Sequence, residues 1–214
     1  MTRRSYTRAP EAERRDNLIA ATLDCVAEFG IAGATVRQIA ARAGVTGGLI
    51  RHYFDGKDQM MQAAYRQLMT QMCAPSHAIA KQDDPGSVRL RRLVATNLSP
   101  PVADARTISL WAAFIGHIPI NPEFAAIHRE HYTAFLASLA QTIGNCLAES
   151  GRTTDRVERH RLAVAVNGLI DGLWLEGSLI GDLFDQGEIV HMALQSVERL
   201  LALDAGTLTA QSGT

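Results

Sequence analysis

Residues 35–60 read TVRQIAARAGVTGGLIRHYFDGKDQM, and three local signals within them define a pair of short helices. Thr35 followed three residues later by Gln38 is a capping-box pattern, which predicts a helix that begins at Val36. Gly44 permits the left-handed backbone conformation that ends such a helix and turns the chain sharply. The segment therefore predicts a short helix followed by a tight corner.

A second short helix follows the corner. Thr46 is a favourable N-cap, so a helix is expected from Gly47 to about Tyr53. Asp55-Gly56 predicts a tight turn, after which a further helix opens near Asp58. With a longer first helix, predicted from Pro10 to Gly30, these elements form a helix-turn-helix unit, which presents its second short helix to the DNA major groove.

The remainder of the chain is also predicted to be helical. Its 214 residues are 47% hydrophobic and contain only seven prolines, which favours an all-α fold of about nine helices. The expected helices after the turn are Asp58 to about Ala80, Val88–Asn97, Ala103–Gly116, Glu123–Glu149, Asp155–Gly181 and Gln186–Leu203. We expect a DNA-binding domain over residues 1–57, a helical ligand-binding and dimerisation domain over 58–203, and a flexible tail over 204–214.

Charge and cysteine usage limit the location and partners. The formal net charge is −1, but five arginines crowd the first fifteen residues and predict a basic arm that can lie along phosphates, or else a solvated terminus. These arginines are Arg3, Arg4, Arg8, Arg14 and Arg15. The three cysteines, Cys25, Cys73 and Cys146, show no disulfide or zinc-ribbon spacing, and we find no signal peptide or membrane span. We expect a cytoplasmic protein that does not bind membranes.

The spacing of the helix-turn-helix residues resembles the DNA-binding signature of TetR-family regulators. The matching residues are Thr35, Ile39, Ala40, Ala43, Gly44, Val45, Thr46, Gly48, Ile50, Tyr53, Phe54 and Lys57. A second resemblance, WAAF at 111–114 with Pro122 and LIDGLWL at 169–175, is to the choline-sensing BetI-like branch. Together they imply a ligand-responsive, DNA-binding regulator, most simply a homodimeric repressor on a palindromic operator.

The TetR resemblance implies roles for residues of the predicted DNA-binding domain, residues 1–57, which we call the head. It implies that Thr46, Tyr53 and Lys57 bond phosphates, assisted by the backbone amide of Gly48. Gly47, at the start of the same helix, also lets the backbone approach a phosphate closely. Arg51 is the candidate for a bidentate contact to guanine, and His52 is a further candidate. Thr35 and Gln38 are expected to touch the flanking DNA backbone.

Apolar helices of the second domain predict a ligand pocket. Its candidate lining residues are Trp111, Phe114, Phe124, Tyr132, Asn167, Asp171 and Trp174. Asp171 lies among apolar residues, where a carboxylate needs a partner. Aromatic faces beside a carboxylate suit a quaternary ammonium ligand, although a structural pair with a histidine or arginine explains Asp171 equally well.

Glycine is repeated in the eighth predicted helix, at Gly168, Gly172, Gly177 and Gly181. Glycine inside a helix costs about 1 kcal/mol relative to alanine, so its repeated use predicts the close approach of another helix. A two-fold dimer interface built from this helix and the last one is the expected explanation, and close packing within one chain is the alternative.

A different function class is a helical metal- or small-molecule-binding protein. His128 and His131 are three residues apart and can share one helical face, with Glu130 or His117 completing a metal site. No cysteine pair or HExxH motif accompanies them. The sequence also lacks a P-loop, a G-x-S-x-G motif and a dinucleotide-binding fingerprint, so we predict no metal, no cofactor and no enzymatic activity.

Overall fold

The structure is a computed structural model that describes residues 11–179 and 185–210. In these residues every regular element is an α-helix, which confirms the predicted all-α fold of about nine helices. The helices are α1 Glu11–Gly33, α2 Val36–Arg42, α3 Gly47–Tyr53, α4 Lys57–Ala80, α5 Gly86–Asn97, α6 Ala105–Ile115, α7 Pro122–Glu149, α8 Arg156–Leu179 and α9 Gln186–Leu200.

The helix boundaries differ from the predicted ones by a few residues. The end of α1 was predicted at Gly30, and the backbone there is not helical, with φ 68° and ψ 173°. Helical backbone then resumes and extends to Gly33. α5 begins earlier than predicted because Glu149 accepts the amides of Gly86 and Ser87, which satisfies its first N–H groups. The predicted helix start at Pro10 and helix end at Gly181 lie outside the described residues.

The chain divides into two compact units. One contains Met1–Leu68 and Ser109–Ile127, and the other contains Met69–Ile108 and His128–Thr214. Unlike the predicted contiguous domains, the first unit includes a segment from the middle of the chain. The helices α4, α6 and α7 each contribute residues to both units.

In the first unit, α1 and α2 pack together, as do α2 and α3. Ile39 of α2 and Ile50 of α3 are almost completely buried, as helix-turn-helix packing requires. The Arg15 guanidinium lies 5.3 Å from the centre of the Phe54 ring, a cation–π contact that joins α1 to the residue after α3. Arg15 therefore has a packing role, in addition to any contact with phosphate.

The second unit is built around α5, α8 and α9, which pack against one another. Its core contains the buried side chains Leu90, Leu93, Ala163 and Val197. A buried polar contact also lies in this unit: the Asn97 side-chain amide donates to the Ser76 hydroxyl at 2.8 Å.

The predicted flexible tail is wrong over residues 204–210, which fold back onto the second unit. Leu208 is fully buried, and the Glu198 carboxylate accepts the backbone N–H groups of Leu208 at 2.6 Å and Thr209 at 2.9 Å. Burial alone would raise the pKa of Glu198, but the hydrogen bonds from this turn hold it below its ordinary value. A buried apolar side chain and charge-assisted hydrogen bonds thus anchor a segment whose composition resembles a tail.

Candidate DNA-binding surface and ligand-binding residues

The predicted capping box at the start of α2 is confirmed. The Thr35 hydroxyl accepts the Gln38 N–H at 3.3 Å, and Gln38 Oε1 accepts the Thr35 N–H at 2.9 Å and its hydroxyl at 2.6 Å. Both residues therefore organise the helix terminus. Their predicted contacts with the DNA backbone would have to use the remaining donors of the Gln38 amide.

The corner between α2 and α3 has the predicted geometry. Gly44 has φ 65°, a conformation that side-chain-bearing residues rarely adopt. The Gly44 N–H donates to the Ala41 carbonyl at 3.2 Å and the Val45 N–H donates to the Ala40 carbonyl at 3.0 Å. These two bonds satisfy carbonyls at the end of α2 and fix the direction in which α3 leaves.

The N-terminus of α3 is open. Thr46 is its N-cap, with φ −86° and ψ 153°, but the hydroxyl makes no capping hydrogen bond. A Cβ added to Gly47 would meet no atom within 4 Å, and one added to Gly48 would meet only the Thr46 hydroxyl oxygen, at 3.9 Å. Both glycines are exposed, so a phosphate can approach the backbone amides here without displacing a side chain.

The C-terminal half of α3 carries the longer predicted DNA-contacting side chains. Arg51 and His52 are exposed, whereas Tyr53 is half-buried. The His52 and Tyr53 rings make an edge-to-face contact, with centroids 5.1 Å apart. Within the described residues, Arg51 forms no ion pair with the protein, so its guanidinium keeps its donors for an external acceptor.

Lys57 has an internal contact that the sequence did not indicate. Its Nζ donates to the Ile31 carbonyl at 2.9 Å, which ties the start of α4 to the end of α1. Two ammonium protons remain for a phosphate oxygen. Arg37, exposed on α2 beside Gln38, is a further cation on this surface that the sequence reasoning did not include.

The aromatic candidates of the first unit form a core cluster. Phe114 is fully buried, and its ring centroid lies 5.0 Å from that of Tyr65 and 5.8 Å from that of Phe124. Tyr65, which the sequence reasoning missed, is equally buried and also contacts Phe124. Trp111 is half-buried on the same helix as Phe114. The cluster stabilises this unit through aromatic packing.

The polar candidates of the second unit come together around Asn167. Its Nδ2 donates to the Asp171 carboxylate at 2.8 Å and to the Tyr132 hydroxyl at 3.4 Å. The Tyr132 ring stacks on His128, with centroids 5.4 Å apart. Asp171 therefore has an amide partner one helical turn away, whereas the sequence suggested a histidine or an arginine. Because this partner is neutral, it does not neutralise the negative charge of Asp171. Trp174 lies buried on the same helix.

Burial affects the ionisation of Asp171. Although its side chain is accessible to solvent, desolvation by the surrounding protein raises the pKa of the carboxyl above its ordinary value, and the hydrogen bond from Asn167 partly offsets this. A cationic ligand would stabilise the charged form that desolvation disfavours.

Comparison with known proteins identifies a family for both parts of the chain. Residues 18–64 match the profile of bacterial regulatory proteins of the tetR family, and residues 87–202 match the C-terminal profile of BetI-type transcriptional repressors. The HTH-type transcriptional regulator BetI of Burkholderia lata is 31% identical over 193 residues, which cover 89% of this chain and 95% of that protein. The chain belongs to the TetR family.

Solved structures of TetR-like architecture support this membership. A transcriptional regulator from Pseudomonas aeruginosa PAO1 is 28% identical, with a TM-score of 0.82 over 94% of this chain and 95% of that one. A regulator from Saccharomonospora viridis, solved in complex with choline, shares the fold at 21% identity, with a TM-score of 0.72 over 91% of this chain and 98% of that one. The predicted function, a ligand-responsive DNA-binding transcriptional regulator, is confirmed at the level of the family.

The rival metal-binding hypothesis receives no support in this TetR-family chain. Burial, and secondarily the neighbouring His131, lowers the pKa of His128, which favours the neutral ring. However, residues 11–179 and 185–210 contain no group of three histidine, cysteine, aspartate or glutamate side chains placed to hold a metal ion. Two histidines alone do not form a closed site.

The small-sided α8 of this TetR-family chain has two kinds of glycine. A Cβ on Gly177 would lie 2.7 Å from Ile189 Cδ1, so this glycine serves packing against α9 within the chain. A Cβ on Gly168 or Gly172 would meet nothing within 4 Å in the described structure. The alternative of close packing within one chain therefore accounts for Gly177 but not for the other two.

Exposed apolar side chains follow the same face of α8 as Gly168 and Gly172. They are Val157, Val164, Leu175 and Leu179, and Leu179 is 71% exposed. By length and mean hydropathy, 1.2 over 18 residues, α8 is also the one helix of the described chain that could cross a membrane. In a family of DNA-binding regulators, an apolar stripe with open glycines instead favours contact with another protein surface.

Proposed function

We propose that this chain is a homodimeric repressor that binds a palindromic operator through α3 and releases it when a small cationic effector binds. The observation that carries the proposal is the character of α3, a short helix with two unobstructed glycines at its start and an exposed Arg51 that forms no ion pair within the described residues. Such a helix leaves room for DNA at one end and offers base-reading donors at the other.

Within the head, contacts to phosphate and contacts to bases are assigned to different residues. We assign Thr46, Tyr53 and Lys57 to phosphates, with assistance from the amides of Gly47 and Gly48. Thr35 and Gln38 contact the flanking backbone, while Arg51 reads a guanine and His52 lies beside it. The supporting observations are the exposure of Arg51 and His52 and the open glycines.

Dimerisation is assigned to α8 together with α9. Val157, Val164, Leu175 and Leu179 form an apolar stripe that a second copy can bury. Gly168 and Gly172 let the partner helix approach closely. A two-fold dimer would place two α3 helices in successive major grooves, about 34–36 Å apart, and would account for a palindromic operator.

The effector site is assigned to the second domain, residues 58–203, with residues 1–57 as the DNA-binding domain. Tyr132, Asn167 and Asp171 form its polar part, and Trp174, on the same helix as Asp171, its apolar part. A carboxylate hydrogen-bonded to a neutral amide retains its charge for a cation, and aromatic faces favour quaternary ammonium groups. Choline is the first ligand to test, because the C-terminal match is to BetI-type repressors.

Release of the operator depends on the thermodynamic linkage between effector binding and DNA binding. The effector can dissociate the complex only if it binds the DNA-free form more tightly, typically by about 1–3 kcal/mol, and DNA must then weaken effector binding by the same factor. α4, which follows the head directly along the chain, is the element through which this preference reaches α3. The protein acts in the cytoplasm, where its operator lies, and performs no catalysis.

The proposal is tested by electrophoretic mobility with DNA flanking the gene that encodes this chain. We expect a retarded dimer complex on one palindromic fragment and none on scrambled DNA of equal length. Choline, betaine and larger quaternary cations are then titrated into the complex. Failure to select any flanking fragment would overturn the operator proposal, whereas selective DNA binding with no response to any cation would overturn only the effector assignment.

A further inference from the structure

A cavity of about 490 Å³ lies between α7 and the beginning of α8, and none of its lining residues belongs to the proposed effector site. We propose that this cavity is a second ligand site, for a small anion that carries carboxylate or phosphate groups. Its polar lining consists of Gln141 and Asn145 from α7 and Arg156, Arg159 and His160 from α8, with a threonine and two alanines completing the wall. This inference does not depend on the proposed operator or effector.

The charge of the cavity is positive without internal compensation. Arg156 and Arg159 are permanently charged, and no carboxylate lies among the lining residues. The nearest acidic residues in sequence, Asp155 and Glu158, do not line it, and the Asp155 carboxylate accepts the Glu158 N–H at 2.8 Å as a helix cap. Arg156, which is exposed, and Arg159, which is half-buried, therefore line one concave site whose lining contains no carboxylate.

Three other arginines of the same unit are held by the chain. Arg89 donates to the Ala80 carbonyl at 2.9 Å, Arg152 donates to the Leu201 carbonyl, and Arg92 pairs with Asp84. In the part of the chain that the structure describes, neither cavity arginine forms an ion pair or a hydrogen bond with another residue. The cavity thus concentrates donors that the fold itself does not use.

Gly144 sets the position of Arg159. A Cβ built on Gly144 would lie 2.5 Å from Arg159 Cδ, so the arginine side chain crosses α7 at the one point where α7 has no side chain. Arg159 is half-buried there, with its apolar stem covered, as long charged side chains are when they lie along a surface. A glycine inside a helix costs about 1 kcal/mol relative to alanine. The position of Arg159 across Gly144 therefore has a cost in helix stability, and an arginine that was only solvated would not require a glycine there.

The lining chemistry defines the class of ligand. Guanidinium groups bind carboxylate and phosphate oxygens in a bidentate manner, and the Gln141 and Asn145 amides can orient additional oxygens. The volume lies within the range of about 300–1,000 Å³ that is usual for small-molecule sites. The site should therefore take a compact polycarboxylate or a phosphorylated metabolite, which is opposite in charge to the cation proposed for Asp171.

Calorimetric titration of the full-length protein tests the proposal. Inorganic phosphate and citrate are the two probes, and chloride holds the ionic strength constant. We expect saturable binding of at least one probe, with one site per chain, and the stronger probe distinguishes a phosphate ligand from a carboxylate ligand. Arg156→Gln and Arg159→Gln should each weaken binding about tenfold or more, since each removes a charge-assisted contact.

Two further variants separate a built site from general positive charge. Arg129→Gln removes an exposed arginine of α7 that does not line the cavity, and it should change the dissociation constant by less than about twofold. Gly144→Ala keeps both arginines but displaces Arg159, so it should weaken binding several-fold without lowering the thermal unfolding temperature. The proposal is overturned if neither probe binds saturably to the wild type, or if Arg129→Gln weakens binding as much as the cavity variants do.

Discussion

Helices α3 and α8 each present a pair of glycines to open space, but they do so at different positions. Gly47 and Gly48 occupy the first turn of α3, where a glycine costs little, whereas Gly168 and Gly172 lie inside α8, where each costs about 1 kcal/mol relative to alanine. The second pair is costly, and nothing within the described chain fills the space beside it, which is the reason for the proposal that α8 contacts a second copy of the chain.

The side chains around the two pairs indicate different partners. The α3 glycines are followed by the polar residues Arg51 and His52, while the α8 glycines are flanked by Val164 and Leu175. On the proposed roles, close approach serves backbone and phosphate chemistry at α3 and apolar burial at α8. The substitutions below test whether these two surfaces have the separate roles proposed for them.

The largest effect is expected from Leu175→Arg on α8. If this face is the dimer interface, each protomer would bring a guanidinium into it, and removing these charges from water would cost about 3 kcal/mol or more, which would weaken dimerisation about 100-fold or more. Operator affinity should fall with it, because two recognition helices are no longer joined. Analytical ultracentrifugation at micromolar concentration measures the first effect and mobility shift measures the second.

Ile120→Arg is the matched control for Leu175→Arg. Ile120 is 76% exposed and lies outside α8, so the same added charge should leave both the dimer and operator binding intact. A Leu175→Arg protein that remains dimeric would remove the α8 interface and leave the two open glycines unexplained.

The second effect concerns the division of roles within the head. Arg51→Ala should cost about 1–3 kcal/mol on the preferred operator and relax selectivity at one base position. Lys57→Ala and Tyr53→Phe should weaken binding almost equally on all sequences, and Lys57→Ala should lower the salt slope by about one. Binding to a panel of single-base operator variants at several salt concentrations separates the two classes.

The internal contact of Lys57 adds a stability effect to this comparison. Loss of its hydrogen bond to the Ile31 carbonyl should destabilise the head by about 1 kcal/mol, whereas Arg51→Ala should leave unfolding unchanged. Equal thermal stability of both variants would mean that this bond contributes nothing, and unchanged base selectivity in Arg51→Ala would contradict the reading role.

The sequence predicted the head well because its determinants are local. The capping box joins Thr35 to Gln38, and Gly44 imposes its turn through its own backbone conformation. Contacts between distant parts of the chain could not be predicted in this way. Glu149 caps α5 from more than sixty residues away, and Lys57 reaches Ile31 only because the head is already folded.

The effector residues show the same limit. Asn167 and Asp171 are four residues apart, a spacing that places them on one helical face and could have identified their hydrogen bond. Tyr65, by contrast, joins Phe114 and Phe124 from a separate helix, and no periodicity in either segment indicates that contact. The docking of Leu208 depended similarly on a buried carboxylate that only the folded unit provides.

A third and smaller effect is expected from Asp171→Asn. If Asp171 neutralises a cationic effector, choline or a related cation should bind about tenfold more weakly, a loss of about 1.4 kcal/mol, while operator binding without effector stays unchanged. Calorimetry on both proteins measures this. Undiminished cation binding by Asp171→Asn would show that the carboxylate is structural.

The pH dependence gives an independent check on Asp171. Because desolvation raises its pKa in the folded state above the ordinary value of 3.8, the folded protein takes up this proton at a higher pH than the unfolded chain does. The ionised form therefore reduces stability at neutral pH, and this penalty disappears as pH falls through the raised pKa. The free energy of unfolding of the wild type, relative to that of Asp171→Asn, should therefore increase as the pH falls through that window. A difference between the two proteins that does not change with pH would contradict the shift.

The smallest effects, and the most direct comparison, come from alanine at Gly48 and at Gly172. Neither Cβ would meet an atom closer than 3.9 Å in the described chain, so both changes fit the isolated protomer. Gly172→Ala should stabilise the protomer by up to about 1 kcal/mol through helix propensity, and it should weaken the dimer by keeping the helices apart. Gly48→Ala should leave the dimer unchanged and weaken only operator binding. The test uses three measurements on each variant: the thermal unfolding of the monomer, the dissociation constant of the dimer and the affinity for the operator. If both substitutions weakened the same function, the two open surfaces would serve one partner, and the separation between α3 and α8 would have to be abandoned.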